Sequence, residues 1–399
     1  MAGSPGRDAP RRRVLVAVLV YNGREFVPRA LRSLGALKAA TRAHDVDVVV
    51  LDDASPEPGW SEELESLSQG LGLGYYRSPR NLGIPRNMSL ALLLGEDQGH
   101  DHVVILNSDV IVPGNMVDQM VAAAETSPDI GTVTAWSNSA SIFSLPNHSA
   151  NDVLTDPSAV DAVSTELAEE FGDAVLDLPV GVGFCLLISR SVIAAVGVFD
   201  PVFGRGYCEE VDLCRRAAEA GLRNVLALGV FVFHMGSATT IDAGLLAPGE
   251  KTVHVNEDII DQRHPGYRAE LQAWVDDDRL APSLTRALAR LVSSRARSAG
   301  YVLEAGWLRR EPVEGVDDRV RITVDPDGIG PLVEASVDGW RSVVPIDDGG
   351  ILIGVSNFVG CAPDEVRIHD RGRVAERLAQ LAGDAGVPVV VRHRYPERV

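Results

Sequence analysis

The apolar positions in the first 110 residues fall into short runs, separated by stretches with helical spacing. Residues 14–20 (VLVAVLV) are continuously apolar, the pattern of a strand buried on both faces of a parallel sheet. Tyr21-Asn22-Gly23 follows as a tight turn. Across 25–37, Phe26, Ala30, Leu31 and Leu34 recur at helical spacing. Residues 46–51 predict a second strand that ends in Asp52-Asp53-Ala54-Ser55, and 73–76 a short third. The run Asn81-Leu82-Gly83-Ile84-Pro85-Arg86-Asn87 leads into an apolar helix over 88–94. Residues 103–106 predict a fourth strand, ending abruptly in Asn107-Ser108-Asp109. This β-α-β-(α)-β-α-β alternation predicts a mostly parallel α/β sheet flanked by helices. Polar residues recur at the carboxyl ends of the strands, where open α/β sheets bind their ligands.

Downstream, 178–199 is the most apolar long stretch, but Arg190 and several glycines interrupt it. It reads as strand, turn and helix and not as a membrane span. Residues 147–177 read as an acidic, partly helical insertion with the character of a lid. Residues 225–233 predict another buried strand, with His234 at its end. After about 281 the pattern changes. Leu284, Leu288, Leu291 and Val292, with Arg286, Arg290, Arg295 and Arg297, make a basic amphipathic helix. It suits an anionic membrane surface, and equally a helix packed on its own domain. Runs at 320–324, 332–337, 351–355 and 387–391, with a helix near 374–381, predict a small α/β or α+β module that carries no motif. The expected organisation is a disordered tail at 1–13, a catalytic domain at 14–278, an amphipathic helical linker at 279–300 and an accessory domain at 301–399.

Charge and cysteine usage narrow the function. The formal net charge of -19 argues against a nucleic-acid partner held by its phosphates. An acidic protein acting on a diphosphate needs a cation, helix N-termini or a few placed arginines. Lysine is confined to Lys38 and Lys251, so arginine carries the positive charge. The cysteines Cys185, Cys208, Cys214 and Cys361 form no C-x-x-C pair, which points to reduced thiols in a cytoplasmic setting. The segment MAGSPGRDAPRRR has no apolar core and is not a signal peptide. No G-x-G-x-x-G follows the first strand, and no G-x-x-x-x-G-K-[ST] occurs.

Some side chains carry chemistry on their own terms. Asp109, at a strand end, is a hard ligand suited to Mg²⁺ or Mn²⁺ and, through it, to diphosphate oxygens. The same position serves equally as a turn. Asp52 and Asp53 can accept from a base N–H and from ribose hydroxyls, or close a turn. Arg86 can offset diphosphate charge near a helix N-terminus or make a surface ion pair. Glu209-Glu210-Val211-Asp212 places adjacent carboxylates at a helix start, where each can raise the other's pKa; an acidic first turn is the structural alternative.

Tyr21-Asn22-Gly23, Asp52-Asp53-Ala54-Ser55, Asn81-Leu82-Gly83 and Asn107-Ser108-Asp109, in this order, resemble a family 2 glycosyltransferase of GT-A fold. Ser137-Asn138-Ser139-Ala140 with Leu145-Pro146 resembles a stretch of the bacterial O-antigen and rhamnosyltransferase-like branch. Val182-Gly183-Phe184-Cys185 resembles its acceptor-side strand, residues 199–216 (FDPVFGRGYCEEVDLCRR) the approach to its catalytic helix, and His234-Met235-Gly236-Ser237 its closing motif. The resemblance spans roughly 14–275.

It implies an inverting transfer from a nucleotide-diphospho-sugar, UDP- or dTDP-linked and dTDP-rhamnose by branch, to a glycan, glycolipid or natural-product hydroxyl. Tyr21, Asn22, Asp52 and Asp53 would line the nucleotide pocket, with Arg86 and Asn107 near the diphosphate. Asp109 and His234 would hold the metal. Glu210 would be the base with Glu209 as its alternate, and Asp212 and Arg215 would orient the loop or pair with each other. Asn107 departs from the usual aspartate and contributes no charge. His264-Pro265-Gly266-Tyr267 reads as structural. Two other readings stay open: a glycan-binding scaffold with a decayed site, and a sugar-nucleotide pyrophosphorylase. The latter requires a glycine-rich basic loop after the first strand, which 21–25 is not.

Overall fold

The computed structural model describes residues 10–140, 142–145, 156–236, 252–305, 320–324, 332–337, 340–345, 355–356, 359, 361–368 and 373–391. The chain forms two compact units: 1–144 with 154–280, and 281–399 with 145–153.

In the first unit the strands are β1 (Arg13–Val20), β2 (Asp45–Asp52), β3 (Gly74–Arg77), β4 (His102–Asn107), β5 (Val110–Ile111), β6 (Ile130–Trp136), β7 (Val175–Leu178), β8 (Cys185–Ser189), β9 (Arg223–Phe231) and β10 (Phe233–His234). The helices are α1 (Val27–Ala40), α2 (Trp60–Gly70), α3 (Ile84–Asp97), α4 (Met116–Ala124), α5 (Pro157–Phe171), α6 (Arg190–Val196), α7 (Glu209–Glu219), α8 (Thr252–Arg263) and α9 (Tyr267–Asp276). The large sheet has the order β3-β2-β1-β4-β8-β6-β9-β7. The first four strands are mutually parallel, while β8 runs antiparallel to both β4 and β6.

The apolar runs form the sheet because they are buried on both faces: Val14 to Val20 is buried throughout, as is Val103 to Leu106. One core lies between the sheet and the helices α3, α6 and α7, with Leu15, Ala17, Val103, Ile105, Leu186, Met88, Leu92, Val192 and Leu213 packed together. Helix α3 fits closely because Gly95 faces β4: a Cβ there would lie 2.4 Å from Val103 Cγ2.

Register sets the functional edge. Val20 pairs with Asp52, and Leu19 with Asn107. Residues 21–22, 52–53 and 107–109 therefore emerge together at the carboxyl ends of three adjacent parallel strands. A short antiparallel ribbon then pairs His234 with Val110.

Three expectations change. Of the tail expected at 1–13, residues 1–9 lie outside the described residues. Arg11 to Arg13 instead lead straight into β1 and are tied to Asp45, Glu125 and Asp101. The insertion expected as a lid over 147–177 includes 147–155, also outside the described residues. Its helix α5 packs on β9 with Val160, Val163, Leu167 and Phe171 buried, and its strand β7 extends the sheet. It is a layer of the fold because its apolar stripe is committed to the sheet. The amphipathic helix expected as a linker belongs to the second unit.

The second unit comprises α10 (Ala281–Ala299), β11 (Tyr301–Ala305), β12 (Val320–Val324), β13 (Leu332–Val337), β14 (Trp340–Pro345), β15 (Glu365–Ile368), α11 (Arg373–Asp384) and β16 (Val389–Val391), with α10 packed on β12, β13 and β14. The sheet order is β14-β13-β12-β11-β15-β16. Val292 and Ala296 of α10 join Tyr301, Leu303, Ile322, Val366 and Leu378 in its core. Most of the strand expected at 351–355 lies outside the described residues. Among the described residues no helix is long and apolar enough to cross a membrane.

Candidate active site

At the end of β2 the two aspartates diverge. The Asp52 side chain is fully buried and saturated. Its Oδ1 accepts from the Ser55 amide at 2.9 Å. Its Oδ2 accepts from Ser61 Oγ at 3.2 Å, Tyr75 Oη at 2.9 Å and Arg77 Nη1 at 2.6 Å. This is the turn-closing role open to an aspartate before a serine. Asp52 is thus held among protein donors, and Asp53 is the carboxylate of the pair with acceptor capacity to spare. Asp53 carries the loop beside the site: Oδ1 accepts from Leu82 N at 2.7 Å and Oδ2 from Gly83 N at 3.0 Å. Burial lifts the Asp53 pKa above the ordinary carboxylate value, against the pull of those two amides.

Across from Asp53, Asn22 takes a left-handed φ of 59°. Ser55 Oγ holds its amide at 2.9 Å, and the Trp60 indole donates to its carbonyl at 3.1 Å. Among the described residues the buried Asn22 side-chain oxygen has no partner, as expected of a group awaiting a ligand donor. Tyr21 is half-buried beside it. Arg86 is exposed in the first turn of α3 and donates to the Leu82 carbonyl at 3.4 Å.

The second cluster joins β4 to β10. His234 Nε2 lies 3.4 Å from Asp109 Oδ1 and 3.4 Å from Asn107 Nδ2. Four contacts aim the imidazole. Its Nδ1 donates to the Ser139 carbonyl at 2.9 Å, which leaves Nε2 as the lone-pair nitrogen of the neutral ring. The Asn138 amide clasps the His234 backbone in both directions, at 2.8 and 2.9 Å. Phe184 stacks on the ring with centroids 5.0 Å apart, and its carbonyl accepts the Asn107 amide at 2.9 Å. Burial opposes charge on this imidazole, but Asp109 and the Ser139 carbonyl outweigh it and lift its pKa above the ordinary histidine value.

This donor set fits a divalent cation. The Asp109 side chain is 1% exposed. An imidazole nitrogen faces it with its other nitrogen committed to a carbonyl, the second-shell pattern of metal-binding histidines. Among the described residues no cluster of three or more metal-ligating side chains occurs. Two protein ligands suit an ion that takes its remaining oxygens from substrate phosphate and water.

The third cluster is at the start of α7. Tyr207 and Cys208 both have left-handed φ values, 77° and 71°, and the chain turns there to present Glu209 and Glu210. Glu209 is 4% exposed, and its Oε2 has no hydrogen-bond partner among the described residues. Burial, then the neighbouring Glu210, push its pKa well above the ordinary value and so favour its protonated form. Glu210 is only partly buried by surface exposure, and burial raises its pKa too. Different environments thus divide the pair into a neutral acid and an ionisable one.

The pairing expected between Asp212 and Arg215 does not form. Asp212 is buried and binds Arg216 Nε at 2.8 Å, Arg263 Nη1 at 3.1 Å and His264 Nε2 at 3.3 Å. Arg215 points elsewhere, to Glu270 at 2.8 Å and over the Tyr267 ring. Both i+3 and i+4 lie on the Asp212 face of the helix, and Arg215 is drawn away by Glu270 and Tyr267, which leaves Arg216 as the partner. His264 is structural, as expected, bridging Asp212 and Glu219.

One turn brings the second and third clusters together. A Cβ on Gly183 would lie 3.8 Å from the Glu210 carboxyl carbon, and the next residue is Phe184, stacked on His234. The ionisable glutamate and the carboxylate–imidazole pair flank one dipeptide.

Sequence reasoning placed Asn138, Ser139 and Phe184 in motifs without finding that they aim His234. It missed Arg77 and Arg263 altogether. Carbonyl and ring contacts of this kind have no sequence signal; only the Asp212–Arg216 spacing could have been read.

A parallel half-sheet with carboxylates at the ends of β2 and β4, and an acid pair opening α7, is the GT-A arrangement. Residues 15–196 match the family model described as Glycosyl transferase family 2, and the chain is a glycosyltransferase. No curated protein matches it in sequence. Among solved structures the chain is similar to the mannosyltransferase PcManGT from Pyrobaculum calidifontis, in complex with GDP-Man and Mn²⁺. Identity is 19%, with 74% of this chain and 79% of that one covered and a TM-score of 0.44. It is also similar to S. aureus TarS 1-349, at 12% identity, 71% and 80% coverage and a TM-score of 0.38. Glucosyl-3-phosphoglycerate synthase from Mycobacterium tuberculosis aligns at 18% identity, 56% and 72% coverage and a TM-score of 0.37.

Proposed function

We propose that the chain is an inverting glycosyltransferase that moves a sugar from a UDP- or dTDP-linked donor to a hydroxyl of a glycan, glycolipid or natural product. dTDP-rhamnose is the donor favoured by the branch resemblance. The observation that carries this reading is the Gly183–Phe184 turn, with Glu210 on one side and the Asp109–His234 pair on the other.

Asn22 and Asp53 take the base and ribose, through an amide oxygen without a partner and a carboxylate with lone pairs to spare. Asp109 and His234 would hold Mg²⁺ or Mn²⁺, which supplies positive charge to the departing diphosphate. Glu210 accepts the proton of the acceptor hydroxyl. The hydroxyl oxygen forms its bond to the anomeric carbon, and the bond from that carbon to the diphosphate oxygen breaks on the opposite face. The nucleoside diphosphate leaves with the electron pair. Glu209, neutral beside Glu210, keeps the second carboxyl from adding charge against the base.

A thermal-shift panel of UDP, dTDP and GDP, each with and without Mn²⁺, tests the donor site. A ligand that binds only the folded state raises the melting temperature by mass action. A metal-dependent rise with UDP or dTDP is expected. No rise with any nucleotide overturns the assignment of Asp53 and Asp109.

A further inference from the structure

The turn that presents Glu209 and Glu210 has an internal bond, from the Gly206 amide to the Phe203 carbonyl at 3.0 Å, and leans on its neighbours beyond that. It contains two consecutive side-chain-bearing residues in left-handed conformation, Tyr207 and Cys208, and a φ of 135° at Gly206. Such conformations persist only where the surroundings impose them. Among the described residues it is supported from two sides. On one side the Arg205 carbonyl accepts the Ile84 amide at 3.2 Å, and a Cβ on Gly83 would lie 2.5 Å from the Gly204 carbonyl oxygen. On the other side is one side chain of α8. Asn256, 3% exposed, aims its amide nitrogen at three carbonyls of the turn: Phe203 at 3.0 Å, Gly206 at 2.7 Å and Tyr207 at 2.9 Å. The Tyr207 carbonyl belongs to the peptide that leads into Cys208, the residue before α7.

Helix α8 is itself anchored along the same stripe, at i, i+4 and i+7 from Asn256. Ile260 is buried. Arg263 binds Asp200 and Asp212 and lies over the Phe203 ring, 5.7 Å from its centroid. The stripe gives Asn256 a fixed base from which to grip the turn.

We propose that Asn256 is a positioning residue for glycosyl transfer: its amide clamps the 203–207 turn and thereby sets where the Glu210 carboxylate meets the acceptor hydroxyl. This rests on the reading of Glu210 as the base. A donor bond to a carbonyl contributes here by geometry, and displacing a catalytic group by about 1 Å costs on the order of 100-fold in rate.

The test compares Asn256→Ala, which removes all three bonds, with Asn256→Ser, which keeps one hydroxyl donor, in the full chain. Steady-state transfer, the dissociation constants of UDP and dTDP with Mn²⁺, and hydrogen exchange over 203–210 are measured. The expected result for Asn256→Ala is a fall in kcat of about 100-fold. Nucleotide affinity stays within about twofold, and exchange over 203–210 speeds up while exchange over 52–55 does not. Asn256→Ser falls between wild type and Asn256→Ala, and carries the comparison if the alanine variant fails to fold. Unchanged kcat in a folded variant overturns the proposal. So does nucleotide affinity that falls in step with kcat, because Asn256 then supports the domain and not the base. If wild type transfers sugar from no donor, the glycosyl-transfer reading fails. The clamp is then judged by exchange alone, and unaltered exchange over 203–210 overturns it.

Discussion

Adjacent residues of one type do different work in this molecule. Asp52 is spent inside the protein, whereas Asp53 hangs a loop and keeps acceptor capacity toward the cleft. Glu209 is sealed in and neutral, whereas Glu210 reaches the surface. The second contrast sets a pH dependence. A base works as its anion, and burial holds the Glu210 pKa above 4.5, so activity is expected to rise with pH through a value above 4.5 and not below it. Glu210→Gln is expected to lower kcat by about 10²- to 10⁴-fold at all pH values and to remove that limb, as read from a kcat–pH profile. The imidazole of His234 is aimed from its backbone by Asn138. Asn138→Ala is therefore expected to weaken Mn²⁺ binding by about 10- to 100-fold in the presence of UDP, measured by electron paramagnetic resonance titration.

Among the elements, the loop ahead of α3 couples two parts of the site. Asp53 holds Leu82 and Gly83, and Gly83 abuts Gly204 on the approach to α7. Gly83 has φ 81° and ψ 160°, a region essentially restricted to glycine. Gly83→Ala brings strain together with a Cβ 2.5 Å from a carbonyl oxygen. It is expected to lower the melting temperature by several degrees, at roughly 2–4 °C per kcal/mol for a unit of this size, with turnover lost alongside. The strands and the strand-end residues around this loop were legible in the sequence, because a strand buried on both faces must be continuously apolar and its ligand end must then turn polar. The packing of α5 was not. Its acidic surface suggested an insertion, and the commitment of Val160, Val163, Leu167 and Phe171 to β9 depends on tertiary partners. Asn256 was invisible for a similar reason: it grips main-chain carbonyls, which every residue carries. The partner of Asp212 was misread by one position along a helix, Arg215 for Arg216, which moves a side chain through about 100°.

At the scale of the whole molecule, the proposed function asks a chain of net charge -19 to bind an anionic diphosphate. The sheet manages this by gathering few charges at the critical edge. Asn107 stands uncharged beside Asp109, Asp52 is paired with Arg77, and burial favours the protonated form of Glu209. That last economy reaches beyond the site. In the unfolded chain Glu209 ionises near its ordinary value of 4.5, but in the folded chain burial delays ionisation to well above it. Between those two values the folded protein binds one more proton than the unfolded one, and stability falls as pH rises. The advantage of Glu209→Gln over wild type in urea denaturation is therefore expected to widen as pH rises above 4.5. Folding in that interval draws a proton from the solvent, and its heat will depend on the ionisation enthalpy of the buffer. The buried acid beside Glu210 makes the folded state a net binder of protons between the two ionisations.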